Sequence, residues 1–307
     1  VWKRLAPGLF LLGIIGLILV LPIFGGETTR GSSRWLNLGI ATIQPSEGIK
    51  LFLAMFLARA LAEHGTKNWR DLKLAGGATL ACVILVVVQP DLGTTVVIAT
   101  TALCMMFSAG MSMRKLGPIL IVGIIGAIGV IYFTSYMRTR VDLWLAGDGY
   151  QTVNSLLALG SGGIFGVGLG QGMQKYGHIP ENYTDMIFAT IGEELGLVGT
   201  GTIILLFALL IWRGFSIASR VKDPYARYLA VGITCMICLQ TIINLAVVTG
   251  LGPVTGVTLP FISYGGSSLT IKLSTVGILL NISRYAKKAE TEKAVPGEAW
   301  PGKTGYL

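Results

Sequence analysis

Apolar runs of about twenty residues recur along this chain and constrain its fold more than any other feature. That length carries an α-helix across the hydrocarbon core of a bilayer. Eight such runs are read, at about 8–24, 46–62, 73–89, 93–110, 117–135, 186–212, 227–249 and 267–284. The chain is 52% hydrophobic and only 13% charged, with a mean hydropathy of +0.70. A soluble domain carries roughly 25% charge. The sequence therefore predicts an all-α polytopic membrane protein, since helices satisfy every backbone group within one segment. A single transmembrane domain is expected over residues 1–285, with a charged, Pro- and Gly-containing tail over 286–307 expected to be disordered. Val1-Trp-Lys-Arg4 leads into the first span with no small-residue cleavage site, so no cleavable leader is expected.

The basic residues report orientation. Sixteen of the 24 lysines and arginines fall on the side that holds Lys3, Arg4, Arg213, Arg220, Lys222 and both termini. Five fall on the other side, Arg30, Arg34, Arg138, Arg140 and Lys175, and three lie within spans. The excess marks the first side as cytoplasmic. This distribution, and not nucleic-acid binding, accounts for the net charge of +9. Cys82, Cys104, Cys235 and Cys238 all lie in apolar runs and read as packing residues. The Cys235-Met-Ile-Cys238 spacing lacks a thioredoxin-like context. With only His64 and His178, far apart in sequence, no His/Cys metal cluster can be drawn.

Three substantial segments then face outward, 25–45, 136–185 and 250–266. The second is too long for a simple connector. Its Gly160-Ser-Gly-Gly-Ile-Phe-Gly-Val-Gly-Leu-Gly-Gln-Gly172 run lacks the Gly-Lys-Ser/Thr ending of a phosphate loop. Its glycines instead suit a re-entrant or interfacial segment that packs closely. Ionisable groups inside spans are costly and mark function by default. Glu47 and Lys50 share a helix face near the outer start of the second span. Asp91 lies at the outer end of the third span, Asp185 opens the sixth, and Ser263-Tyr-Gly-Gly-Ser-Ser268 precedes the eighth. Arg34 and Trp35 sit in the first outside segment. All lie at one membrane depth on one side. Structural readings compete: Asp185 as a helix cap, Lys50 in an ion pair with Asp91 or Glu47, Glu193 and Glu194 in structural pairing, and Lys272 snorkelling outward.

Taken in order, Arg34-Trp35, Gln44-Pro-Ser-Glu47 with Lys50, Gln89-Pro-Asp-Leu-Gly-Thr94, Tyr150-Gln151, Gly160-Ser-Gly-Gly163, Pro180-Glu181, Thr184-Asp185, Glu193-Glu194-Leu-Gly196 and Leu259-Pro-Phe-Ile-Ser-Tyr-Gly-Gly-Ser-Ser268 resemble the SEDS proteins, FtsW, RodA and SpoVE. The stretch Gly250–Pro260 is more similar to FtsW than to RodA. The eight spans match the third to tenth of the family's ten. The resemblance implies a peptidoglycan glycosyltransferase that polymerises lipid II into polyprenyl-linked glycan outside the cytoplasmic membrane. It implies a class B penicillin-binding transpeptidase and other division or elongation proteins as partners. It marks Asp185 as the essential carboxylate. Arg34, Trp35, Glu47, Lys50, Asp91, Thr184, Glu193, Ser263, Gly265, Gly266 and Ser267 match positions that support it or bind substrate.

The chemistry agrees with that assignment. Lipid II already carries a diphosphate leaving group, so one carboxylate acting as base can suffice, unlike the pair that hydrolases use. Arginines and lysines, or a divalent cation such as magnesium or manganese, would offset charge on the diphosphate. No other cofactor is called for. The alternatives are a lipid II flippase, which needs a polar path through the inner half of the membrane as well, and a non-catalytic scaffold for a transpeptidase. Orientation can be checked directly. Asp148→Cys should be labelled by an impermeant maleimide in intact cells; labelling only after lysis would reverse the topology.

Overall fold

Glycine punctuation and apolar length decide where the helices start and stop. The computed structural model describes residues 1–21, 27–29, 32–37, 42–66, 69–174 and 183–294. Eight long helices among them occupy the eight apolar runs: α1 (Trp2–Leu19), α2 (Pro45–His64), α3 (Trp69–Val88), α4 (Leu92–Ser108), α5 (Met113–Phe133), α8 (Ile187–Arg220), α9 (Pro224–Val248) and α10 (Gly266–Ala294). α1, α5, α8 and α9 carry long, strongly apolar windows, and α3 and α4 carry shorter ones. α2 and α10 are less apolar: α2 bears Glu47 and Lys50 and ends in Arg59, Glu63 and His64, and α10 bears Lys272 and ends in a charged run. Start signals are local. Pro45 opens α2, Asp91 caps α4 by accepting from Thr94 N–H at 3.1 Å, and Asp223 caps α9 through Ala226 N–H at 2.8 Å. Each cap satisfies a donor that the helix cannot.

The packed centre lies at α2 and α9. α9 packs on α2, α4 and α8, while α2 also packs on α1 and α3. α5 touches mainly the helix that follows it and the edge of α4, and its Ile121, Val122, Ile125 and Ile128 are exposed for lipid to cover. The four cysteines are free thiols, buried or half-buried.

The described part of the long 136–185 segment is built, not open. It folds into α6 (Ser135–Ala146), α7 (Tyr150–Gly162) and a glycine-rich loop that returns against α8. α6 is tied to the 250–255 segment. Arg140 donates to Val254 O at 2.7 Å, and Trp144 Nε1 to Gly250 O at 2.8 Å. Arg138 stays solvated, with Asp142 at 3.8 Å.

Two features were not foreseen. Residues 25–45 hold, among the described residues, a small antiparallel sheet beside the helices, β1 (Glu27–Thr29), β2 (Ser32–Asn37) and β3 (Thr42–Ile43). Ser, Thr and Trp in short alternation suit paired strands. The second concerns the tail. α10 continues to Ala294, past residue 286 where disorder was expected; Lys, Glu and Ala are good helix formers. Residues 295–307 lie outside the described residues, as do Lys67, Lys175, His178 and Pro180-Glu181.

α8 is interrupted at Gly196, with φ 64° and ψ −159°. Gly162 makes the closest approach to this region, since an added Cβ would meet the carbonyl of Gly192. Gly160, two residues earlier on α7, has open space around it. Gly162→Ala should therefore cost about 1–3 kcal/mol of stability, while Gly160→Ala should be neutral or slightly stabilising. Thermal unfolding of the two variants in detergent checks the contrast.

Candidate active site

The site begins with Tyr183–Met186, the turn that enters α8. Asp185 is 7% exposed. The N-cap position of α8 belongs to Met186, one residue after Asp185. Its own neighbour Thr184 donates Oγ1–H to Asp185 Oδ1 at 3.2 Å.

The backbone of this turn is pinned to the 257–264 segment by two direct bonds and by Asn244, which bridges the two. Asn244 of α9 donates its amide to Asp185 O at 2.7 Å and to Val257 O at 2.8 Å. Ser263 Oγ donates to Thr184 O at 2.6 Å and accepts from Leu259 N–H at 2.8 Å. Tyr264 N–H donates to Tyr183 O at 2.9 Å, and the two rings meet edge to face at 6.1 Å. Phe261, within the same segment, holds a positive φ of 66°. A bulky residue adopts that conformation only where its surroundings over-determine it. Its ring lies 6.4 Å from Phe207 of α8, which anchors it.

The second part of the site is a buried charge cluster where the N-terminal ends of α2 and α10 meet. Lys50 Nζ lies 2.5 Å from Glu47 Oε1. Glu47 Oε2 accepts from Ser268 Oγ at 3.1 Å and lies 3.6 Å from Lys272 Nζ. Lys272 also donates to Thr258 Oγ1 at 3.0 Å. The side chains of Lys50, Lys272 and Glu47 are 4%, 5% and 7% exposed. Two ammonium groups thus share one carboxylate, leaving one surplus positive charge in a low-dielectric site. Ser46 Oγ and Ser267 Oγ are buried close by in sequence, with no hydrogen-bond partner among the described residues. The two parts share one strip of chain: Val257 is bonded to Asn244, and its neighbour Thr258 is bonded to Lys272.

The sequence candidates divide accordingly. Glu47, Lys50, Thr184, Asp185 and Ser263 join the two parts, and Gly265 and Gly266 form the turn into α10 that brings up Ser267 and Ser268. Asp91 serves α4 through Thr94 N–H and Thr94 Oγ1 (2.9 Å), and the acid beside Lys50 is Glu47. Trp35 is half-buried on β2, which packs on α2. Arg34 is on the same strand, with its side chain outside the described residues. Lys272 does not snorkel; it is buried and paired. Glu193 lies two turns below Asp185 and accepts backbone N–H groups of Met173 at 2.7 Å and Gln174 at 3.2 Å. Asn244 was missed in the sequence. The signal was there, an amide within an apolar run, which needs interhelical partners. Among the described residues no group of three or more His, Cys, Asp or Glu is placed to hold a metal ion, so no step is assigned to a divalent cation.

Comparison with known proteins is decisive. Residues 1–288 match the profile of FtsW, RodA and SpoVE, described as cell cycle protein. The chain belongs to this family. It is 42% identical to stage V sporulation protein E of Bacillus subtilis over 93% of this chain and 81% of that protein. It is 39% identical to the probable peptidoglycan glycosyltransferase FtsW of the same organism, over 95% of this chain and 76% of that one. Its fold is similar to a chain from a solved peptidoglycan synthase complex, with TM-score 0.77 and 31% identity, covering 92% of this chain and 82% of that one. It is also similar to the rod shape determining protein RodA of Thermus thermophilus, with TM-score 0.68 and 31% identity over 92% and 78% of the two chains. The chain is a multi-pass membrane protein.

The charge cluster makes an ordered prediction. Glu47→Ala leaves two ammonium groups buried without a carboxylate and should cost about 3–5 kcal/mol. Lys272→Met leaves the Glu47–Lys50 pair intact and should cost far less. Chemical denaturation of both variants in detergent tests the order.

Proposed function

We propose that this chain is a peptidoglycan glycosyltransferase that polymerises lipid II on the outer face of the cytoplasmic membrane, with Asp185 as general base. The observation that carries this reading is the placement of Asp185. It is a buried carboxylate at the entry to α8, held by its backbone against the strip that also holds the Lys50–Glu47–Lys272 cluster. The family's relatives named as probable peptidoglycan glycosyltransferases support it at about 40% identity.

In the proposed step, an Asp185 oxygen takes the proton of the acceptor sugar's 4-hydroxyl. The freed oxygen forms a bond to the donor's anomeric carbon as the bond to the diphosphate oxygen breaks. The diphosphate leaves with the electron pair, and configuration inverts from α to β. Negative charge grows on the leaving group, and the surplus positive charge of the cluster stabilises it across a medium where fields are poorly screened. The strip from Val257 to Tyr264, tied to both parts, keeps base and cations in register.

A flippase would need ionisable groups available along the inner half of the path. Glu193 and Glu194 were the best candidates, and both are engaged with backbone N–H groups of the glycine loop. That engagement favours the transferase. The concentration of basic residues on the opposite side supports an orientation with both termini inside and the Asp185 end of α8, with α6 and α7, facing outward. A class B transpeptidase is the proposed partner, in keeping with the similarity to a chain of a complex that coordinates polymerization and crosslinking.

Labelled lipid II supplied in detergent to the complex with its transpeptidase tests the reading, because polymerisation needs no sealed compartment. Asp185→Asn should fold normally and lose roughly 100-fold or more in strand formation. Near-normal polymer from a folded Asn variant would remove Asp185 as the base. Lys272→Met should keep the fold yet polymerise more slowly, since it deletes the surplus charge together with the bond to Thr258.

A further inference from the structure

The interruption of α8 is matched group for group by the glycine-rich loop. In an unbroken helix, Leu197 N–H and Val198 N–H would donate to the carbonyls of Glu193 and Glu194. The positive φ at Gly196 prevents both bonds. The loop supplies replacements for all four groups. Val167 N–H donates to Glu193 O at 2.9 Å and Gly168 N–H to Glu194 O at 3.1 Å. Leu197 N–H donates to Gly163 O at 2.9 Å and Val198 N–H to Ile164 O at 3.1 Å. Added Cβ atoms on Gly166 and Gly196 would collide with the facing backbone, so glycine is required where the two segments meet.

The side chains of the same two glutamates complete the contact. Glu193, 3% exposed, accepts from Met173 N–H at 2.7 Å and from Gln174 N–H at 3.2 Å. Glu194 Oε2 accepts from Gly170 N–H at 3.0 Å. The site presents donors to these oxygens. A carboxylate only accepts, whereas a glutamine would bring an NH2 group needing acceptors of its own. Bonds from N–H to an ionised carboxylate are also stronger than neutral ones.

This arrangement severs the segment Ile187–Leu195 from the membrane half of α8 and docks it on α7. Asp185 stands at the head of that segment. It is held from one end by Asn244, Ser263 and Tyr264, and from the other by the glutamate clasp. We infer that Glu193, with Glu194, is a positioning residue for the proposed transferase: it sets where the Asp185 carboxylate stands, without touching substrate. This rests on the reading of Asp185 as the base. A misplacement of about 1 Å at a reacting group can cost up to about 100-fold in rate, so loss of the clasp should appear in kcat and not in KM.

The test measures lipid II polymerisation by the transpeptidase complex together with hydrogen exchange followed by mass spectrometry. Glu193→Ala should speed exchange across residues 168–174 while peptides from 257–264 keep their protection. It should lower kcat by about tenfold or more with KM for lipid II unchanged, and leave the limbs of the pH profile where they are in the natural protein. Glu193→Gln, which keeps one accepting oxygen, should recover part of both protection and kcat; it carries the test alone if the alanine variant does not fold. Loss of protection with natural kcat would overturn the inference. So would unchanged protection in either variant, or a glutamine variant as inactive as Asp185→Asn with its loop still protected, which would assign Glu193 to proton transfer. Failure of the natural complex to polymerise would instead count against the transferase reading, on which the hydrogen exchange of the loop does not depend.

Discussion

Hydrocarbon offers no hydrogen bonds, and that single constraint organises the molecule. Every backbone group and every charge placed inside the bilayer needs a partner from the protein, or it costs several kcal/mol. The chain departs from simple spans at two places, and each departure is closed by its own set of partners. At the charge cluster, one carboxylate serves two ammonium groups, with serine and threonine hydroxyls in reach. At Gly196, a loop from elsewhere in the chain replaces a missing turn. Between them lies the Asp185 turn, whose backbone is held by Asn244, Ser263 and Tyr264.

The cluster and the turn depend on each other through the segment from Val257 to Tyr264. This strip is irregular, and irregular backbone at membrane depth is tolerated only where protein buries it. Asn244 supplies that cover by bonding to two chain segments at once, and Ser263 does the same with its hydroxyl as both donor and acceptor. The strained Phe261 belongs to the same strip. Strain collected beside a buried carboxylate and a buried charge surplus is what a preorganised reaction site requires, because groups already in position do not reorganise during the reaction.

Much of this was legible in the sequence, for reasons that differ between residues. The spans were readable because apolar length is a one-dimensional signal. Glu47 and Lys50 were readable as a pair because three residues along a helix bring side chains to one face. Lys272 was not, since its partners Glu47 and Thr258 lie far away in sequence and only packing of α10 on α2 unites them. Asn244 lacks charge and hides in an apolar run. The helix break was invisible because Glu-Glu-Leu-Gly is as compatible with a helix as with its interruption; the deciding partners are glycines some thirty residues earlier. Those glycines were read as a closely packing segment, re-entrant or interfacial; the close packing is seen, but nothing local shows what they pack against. The strands of the first outside segment are too short to show a period.

The break in α8 also has a consequence for how the protein is assembled. Alone in a bilayer, residues 187–220 satisfy most of their backbone as one uninterrupted helix, and Gly196 by itself does not force a kink there. The kink is worthwhile only when the loop is present, because docking then exchanges two bonds within the helix for four between segments. The loop and the break are therefore interdependent: the kink in α8 closes its backbone groups only with the loop docked, and Asp185, just ahead of the broken segment, shares that dependence.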